Sequence, residues 1–235
     1  MRVALLSVGD ELLAGDTVNT NAAWLGEHLT ERGVEVVRSV VVPDDIETIA
    51  ETIRDLHERA DAVLITGGLG PTHDDLTMDA VARAFDRELE TNDEAVAWLE
   101  EHGGYHSDDL AEGTAELPTG ARVLHNEAGV APGCVVESTY VFPGVPDEMH
   151  AMFEGVAEEF SGTVQAVEFV HVDEPESALL DRFEELRDRF DVAVGSYPGE
   201  HVRVKIQSPN EETAKSAANW LADRVDLVDG EPGQR

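Results

Sequence analysis

Ala62-Val63-Leu64-Ile65-Thr66-Gly67-Gly68-Leu69-Gly70-Pro71-Thr72-His73-Asp74-Asp75-Leu76-Thr77 is the stretch on which the fold turns. Residues 62–66 are an apolar run of the length and β-branched content of a strand buried on both faces. Three glycines interrupt it, and residues 78–85 resume at helical spacing. Working back from there, residues 2–8 form another apolar strand. Residues 20–32 then place Ala22, Leu25, Gly26 and Leu29 on one helical face, with Gly33 as the stop. Residues 34–42 read as a third strand. Pro43-Asp44-Asp45 caps a helix carrying Ile46, Ile49, Ala50, Ile53 and Leu56. Strands alternating with helices at these intervals require crossovers, so the fold class is α/β, a mostly parallel sheet with helices on both faces.

Working forward, residues 93–102 are helical, and the polar stretch 103–113 carries no pattern. Residues 122–124, 134–138 and 140–142 are short strands. Residues 147–160 are a helix entered through Pro143-Gly144-Val145-Pro146. The pattern then changes: a strand (164–172), a helix with Leu179, Leu180, Phe183, Leu186 and Phe190, strands 192–197 and 202–207, and a helix over 211–224. Two domains are expected, 1–162 and a small α+β domain over 163–235.

The 50 Asp and Glu residues against 16 Lys and Arg leave a net charge of −34, spread along the whole chain. Duplex nucleic acid is not an expected partner, because no basic stripe can replace its counterions, and an anionic membrane is disfavoured for the same reason. Only Lys205 and Lys215 are lysines. An acid-loaded, lysine-poor surface suits a protein working in concentrated, halophilic salt, where screening removes self-repulsion. Cys134 is the one cysteine, which rules out an intrachain disulfide and a cysteine-cluster zinc site. No segment reads as a leader or a membrane span, so the expectation is a cytoplasmic protein.

Ligands of a parallel sheet bind beyond the carboxyl ends of its strands. The Gly67, Gly68, Gly70 loop can bring backbone N–H groups to an anion at a helix start. It is neither a P-loop nor a dinucleotide fingerprint, since no Gly-Lys-Ser/Thr and no third fingerprint glycine follow. Asp74 and Asp75 would repel a phosphate there unless a divalent cation lay between them. The bland reading is one aspartate as helix cap and one solvated. His73 is assigned no role. A second loop, Gly9-Asp10-Glu11-Leu12-Leu13-Ala14-Gly15 with Asn19 and Asn21, adds acids that could complete a metal site or only decorate a helix start. Two others, residues 126–133 and 142–149, show ordinary turn chemistry.

Together the four segments resemble the N-terminal domain of the CinA (competence/damage-inducible protein A) family. Its pattern runs Gly-Thr-Glu-Leu-Leu-x-Gly with Asn-Thr-Asn, Gly-Gly-Leu-Gly-Pro-Thr-x-Asp-Asp-x-Thr, Asn-x-x-Gly-x-Ala-Pro-Gly and Pro-Gly-Val-Pro-x-Glu-Met. All occur here in order, with Asp10 where a threonine is common. The resemblance implies a MoaB/Mog-type molybdopterin-binding fold followed by a KH-like unit, which lacks a Gly-x-x-Gly loop and so does not imply RNA binding.

It further implies a small phosphorylated nucleotide or pterin ligand, a homo-oligomer, and metal-dependent hydrolysis of ADP-ribose to AMP and ribose 5-phosphate. The amidohydrolase domain of many bacterial members has no room here. The expected assignments are Asp75 and Asp74 as catalytic; Asp75, Asp74, Asp10 and Glu11 as ligands of magnesium, manganese or cobalt; and Gly67, Gly68, Gly70, Thr72, Asn19, Asn21, Asn126, Gly129, Gly133 and Gly144 around the ligand. The alternatives are a pterin-binding or adenylyl-transfer protein of molybdenum cofactor biosynthesis and a non-catalytic binding module.

The folded fraction is expected to rise with KCl concentration, followed by circular dichroism. Full stability in dilute neutral buffer would count against adaptation of this surface to salt.

Overall fold

The computed structural model describes residues 1–69, 75–102 and 114–228. Gly70, Pro71, Thr72, His73 and Asp74, and the polar stretch 103–113, therefore lie outside the described residues. The chain divides into two units, Met1–Gly162 and Thr163–Arg235.

In the first unit the elements run β1 (Arg2–Val8), α1 (Asp10–Ala14), α2 (Thr20–Glu31), β2 (Glu35–Val42), α3 (Ile46–His57), β3 (Ala62–Thr66), α4 (Thr77–Ala84), β4 (Leu89–Thr91) and α5 (Asp93–His102). They continue with β5 (Glu116–Pro118), β6 (Arg122–Leu124), β7 (Gly133–Val136), β8 (Thr139–Phe142) and α6 (Pro146–Glu154). Among the described residues the main sheet is six-stranded, ordered β2-β1-β3-β8-β7-β6. β2, β1, β3 and β8 run parallel, whereas β7 is antiparallel to both β8 and β6.

Burial explains why β1 and β3 are such continuous apolar runs. Every residue of β3, and every residue of β1 after Arg2, is buried. Alternate side chains face opposite layers. Leu6, Val63 and Ile65 pack against Ile49, Ile53 and Val81 of α3 and α4. Leu5 and Leu64 pack against Leu25 and Leu29 of α2 and Met149 and Phe153 of α6. Each fully buried aliphatic side chain contributes about 1.5–3 kcal/mol, which is what clamps helices to both faces.

Periodicity extends the last helix of this unit to residue 160, but α6 stops at Glu154. Gly155 gives the next turn no side chain to hold it, and Val156 leaves the α region at φ −122° and ψ 3°. A single 3-10 turn, Ala157–Glu159, then lays Val156, Ala157 and Phe160 on the α2–α6 core. The paired strands β4 and β5 and the short α1 go unrecognised in sequence because three to five residues carry too little periodicity.

The second unit contains β9 (Ala166–Val172), α7 (Leu180–Arg189), β10 (Ala193–Tyr197), β11 (Val202–Ser208) and α8 (Glu211–Ala222). Its antiparallel sheet is ordered β10-β11-β9. Val170, Val172, Val204 and Ile206 face Phe183, Leu186, Ala217 and Leu221 of the two helices. No helix of the described residues is long and apolar enough to cross a membrane.

Cys134 on β7 is fully buried, with its thiol 3.6 Å from Met78 Sδ, and burial pushes its pKa up to about 12. At pH 8 the thiol should resist alkylation in the folded protein and react only as the chain unfolds. Alkylation at the rate of a free thiol, with native circular dichroism retained, would contradict this placement.

Candidate functional site

The chain leaves β1 for β2 on one side and returns to β3 on the other, so the strand order reverses between β1 and β3. Such a reversal leaves a crevice beyond the carboxyl ends of the strands. A cleft of about 510 Å³ opens there.

The end of β3 shapes it. Gly67 has φ +102° and Gly68 φ +66°, conformations that side chains strain to adopt. There is also no room: a Cβ on Gly67 would fall 2.3 Å from the Val8 carbonyl oxygen, and one on Gly68 would fall 2.3 Å from Thr77 Oγ1. Thr77, wholly buried, donates its hydroxyl to the Gly67 carbonyl (2.9 Å) and its N–H to the Gly68 carbonyl (3.2 Å). The Gly67 N–H donates to the Phe142 carbonyl at 3.1 Å, which ties the loop to β8. That N–H is spent, so Gly67 serves the cleft through the side chain it lacks. Gly68 lines the wall beside it.

The other walls come from the remaining strand ends. Asn19 caps α2, its Oδ1 accepting the Ala22 N–H (3.0 Å) while its Nδ2 donates to Ser7 Oγ (2.8 Å). Both ends of Asn19 are therefore engaged within the protein. Asn21 donates Nδ2 to the Gly144 carbonyl at 2.7 Å, and Gly144 lies so close that its Cβ would stand 3.4 Å from Gly67 Cα. Asp10, Glu11, Asp44 and Asp75 bring carboxylates to the same cleft.

Asp44 is the residue that sequence reasoning assigns elsewhere. The α3 cap is Asp45 alone, whose carboxyl is held below its usual range by the hydroxyl of Thr48 and then by the Thr48 N–H. Asp44 turns into the cleft and accepts the Asp10 N–H at 2.9 Å. The available signal was only that two acids, Asp44 and Asp45, follow the strand where one suffices to cap α3.

The structure thus gathers Asp10, Glu11, Asn19, Asn21, Gly67, Gly68, Asp75 and Gly144 around one cleft. Gly70, Thr72 and Asp74 lie outside the described residues. Asn126, Gly129 and Gly133 do not line the cleft. Asn126 is buried and donates to the Ala131 carbonyl (3.0 Å) and to Glu148 Oε2 (2.7 Å). Gly129 leaves space for the Glu148 carboxylate, which a Cβ would meet at 2.2 Å. Gly133 lets β7 lie against β8, its Cβ position being 2.2 Å from the Val141 carbonyl oxygen. The contacts the structure gives these three positions are within the protein and away from this cleft.

Two opposing fields act in the cleft. Four carboxylates line it and, among the described residues, no Lys or Arg does. Against them, α2, α4 and α6 all begin at its rim, through Thr20, Leu76 and Pro146, and turn their positive dipole ends towards it. The donor set is all oxygen, as a hard cation requires. Among the described residues no group of three or more His, Cys, Asp or Glu is arranged to hold a metal. What the cleft offers a cation is the separate carboxylates of Asp10, Glu11, Asp44 and Asp75.

A family model described as "Probable molybdopterin binding domain" matches residues 4–162. A protein of Archaeoglobus fulgidus is 39% identical over 219 residues, covering 92% of this chain and 95% of its own length. A CinA-like protein of Citrifermentans bemidjiense is 45% identical over 174 residues, which are 71% of this chain and 42% of that longer protein. Among solved structures, the CinA protein of Thermoplasma acidophilum superposes with a TM-score of 0.63 at 36% identity, covering 68% of this chain and 97% of that one.

Gly67→Ala is expected to cost at least about 2 kcal/mol, the scale of a strained backbone in a closed space. Gly144→Ala, with a 3.4 Å approach only, should cost under about 1 kcal/mol. Denaturant midpoints check the difference, and equal costs would refute the close packing of the two loops.

Proposed function

Because the chain belongs to the Probable molybdopterin binding domain family, as a CinA-type member, we propose that its cleft binds a phosphorylated nucleotide-type ligand and hydrolyses a pyrophosphate bond such as that of ADP-ribose. The observation that carries this reading is the pairing of opposite preferences in one cleft. Helix starts and a glycine wall favour phosphate, and carboxylates oppose it unless a cation is bound with it.

Asp75, with Asp10, Glu11 or Asp44, is the group that would hold a divalent ion shared with the ligand's phosphate, and Asp74 joins this assignment from its place in the sequence. Such an ion, when bound, neutralises phosphate charge and lowers the pKa of a coordinated water. The chain's own residues do the rest. Gly68 lets the phosphate approach the backbone, and the dipole ends of α2, α4 and α6 favour its charge. Thr77 holds the glycine loop in shape through its two hydrogen bonds. Asn21 locks the α2 start to the β8 loop, so the two walls of the cleft keep their spacing.

The second reading is a pterin-binding or adenylyl-transfer role, favoured by the family's own description. The two are separated by incubation with ADP-ribose, FAD, NAD and ATP, each with magnesium, manganese or cobalt in high KCl. AMP released from ADP-ribose supports the hydrolase. Pterin binding with ATP turnover supports the transferase, and silence across the panel leaves a binding module. For the hydrolase, Asp75→Asn should lower metal-dependent turnover by about 100-fold or more while leaving the fold intact. Unchanged turnover would sink the role of Asp75.

A further inference from the structure

The sheet of the second unit has one face under α7 and α8 and one face open. The register fixes what the open face carries. Its rungs run Tyr197–Arg203–His171 and Gly195–Lys205–Phe169, with Ala193–Gln207–Val167 as a third. None of these nine positions is Asp or Glu, although acids make up 50 of the 235 residues. Contacts between basic and acidic side chains among this unit's described residues are Arg182–Glu174, His201–Asp173 and Lys215–Glu211. Among those residues Arg203 and Lys205 therefore have no carboxylate beside them.

The aromatic side chains next to these cations are bare. Phe169 is 48% exposed and Tyr197 47%. The Arg203 guanidinium lies 5.3 Å from the Phe169 ring centroid and 5.2 Å from that of Tyr197, so a cation on the central strand joins two rings on the outer ones. Gly195 leaves room for the Tyr197 ring, since a Cβ there would stand 3.3 Å from it. Exposed apolar surface gathered in this way marks a place where something binds.

We propose that this face binds single-stranded nucleic acid, with bases stacked on Phe169 and Tyr197 and phosphates beside Arg203 and Lys205. Each nucleotide carries one flat ring and one negative charge, so a single strand repeats the two chemistries that the face offers side by side. Aromatic rings on an open sheet are a recurring platform for the unstacked bases of single-stranded RNA. A duplex fits less well, because its bases are already stacked on one another and two cations replace few of its counterions. An acidic peptide would satisfy Arg203 and Lys205 and leave both rings bare. The charge of −34 opposes any polyanion at a distance, but salt screens that repulsion and leaves stacking in place.

The test is fluorescence anisotropy of the full chain with labelled oligouridylate or oligothymidylate of about eight nucleotides. EDTA keeps divalent ions from the cleft of the first unit, and KCl runs from about 0.1 M to about 1 M. The logarithm of affinity should fall against that of salt with a slope no steeper than about −1.4, from two phosphate contacts at about −0.7 each. Phe169→Ala and Tyr197→Ala should each weaken binding about tenfold, whereas Tyr197→Phe, which keeps the ring, should leave it unchanged. Circular dichroism confirms that each variant is folded. Binding of either strand with this pattern supports the proposal, and the tighter of the two identifies the sugar that the face prefers. No binding of either strand, or equal affinity for the wild type and both alanine variants, would overturn it. So would polyglutamate displacing the labelled strand as well as unlabelled strand does, which would make the occupant an acidic peptide.

Discussion

Gly67 sits where three strand ends meet, and the cleft depends on the space it leaves. Its missing side chain lets β3 turn directly against the Val8 carbonyl at the end of β1. Its N–H is tied to the last residue of β8, and its carbonyl is held by the buried hydroxyl of Thr77 at the start of α4. Gly144 closes on it from the β8 side, and Asn21 of α2 fastens that loop in turn. One backbone position without a Cβ therefore fixes the mutual placement of the helix starts that give the cleft its positive ends.

The same crowding explains what sequence could and could not convey. β1 and β3 were legible because strands buried on both faces leave uninterrupted apolar runs, and α3 because Ile46, Ile49, Ile53 and Leu56 recur on one face. β4 and β5 were not, being three residues each. The end of α6 at Glu154 was obscured because Val156 and Phe160 keep an apolar pattern while leaving the helix. Spacing along a chain does not give strand order, so it could not say which loops converge. Asp44 reaches the cleft only because β2 lies beside β1, a relation visible in the sheet and not in the string of residues. Conversely, Asn126, Gly129 and Gly133 stand in a motif that points to a ligand, yet their hydrogen bonds and close approaches are to Glu148, Ala131 and Val141.

Charge is distributed unevenly in both units. In the first, carboxylates are concentrated where the proposed phosphate would sit, which is why the proposed function couples that phosphate to a cation. In the second, carboxylates are missing from one sheet face, where Arg203 and Lys205 stand instead. Both features follow from a chain that places acids nearly everywhere and uses their local excess or absence.

The dependence of ligand binding on a divalent ion tests the cleft most directly. Calorimetric titration of ADP-ribose into metal-stripped protein, at 4 °C to slow turnover, should show binding at least about tenfold tighter, or about 1.4 kcal/mol, when manganese is present than when it is absent. Equal affinity with and without the ion would contradict a site in which carboxylates and phosphate share a cation.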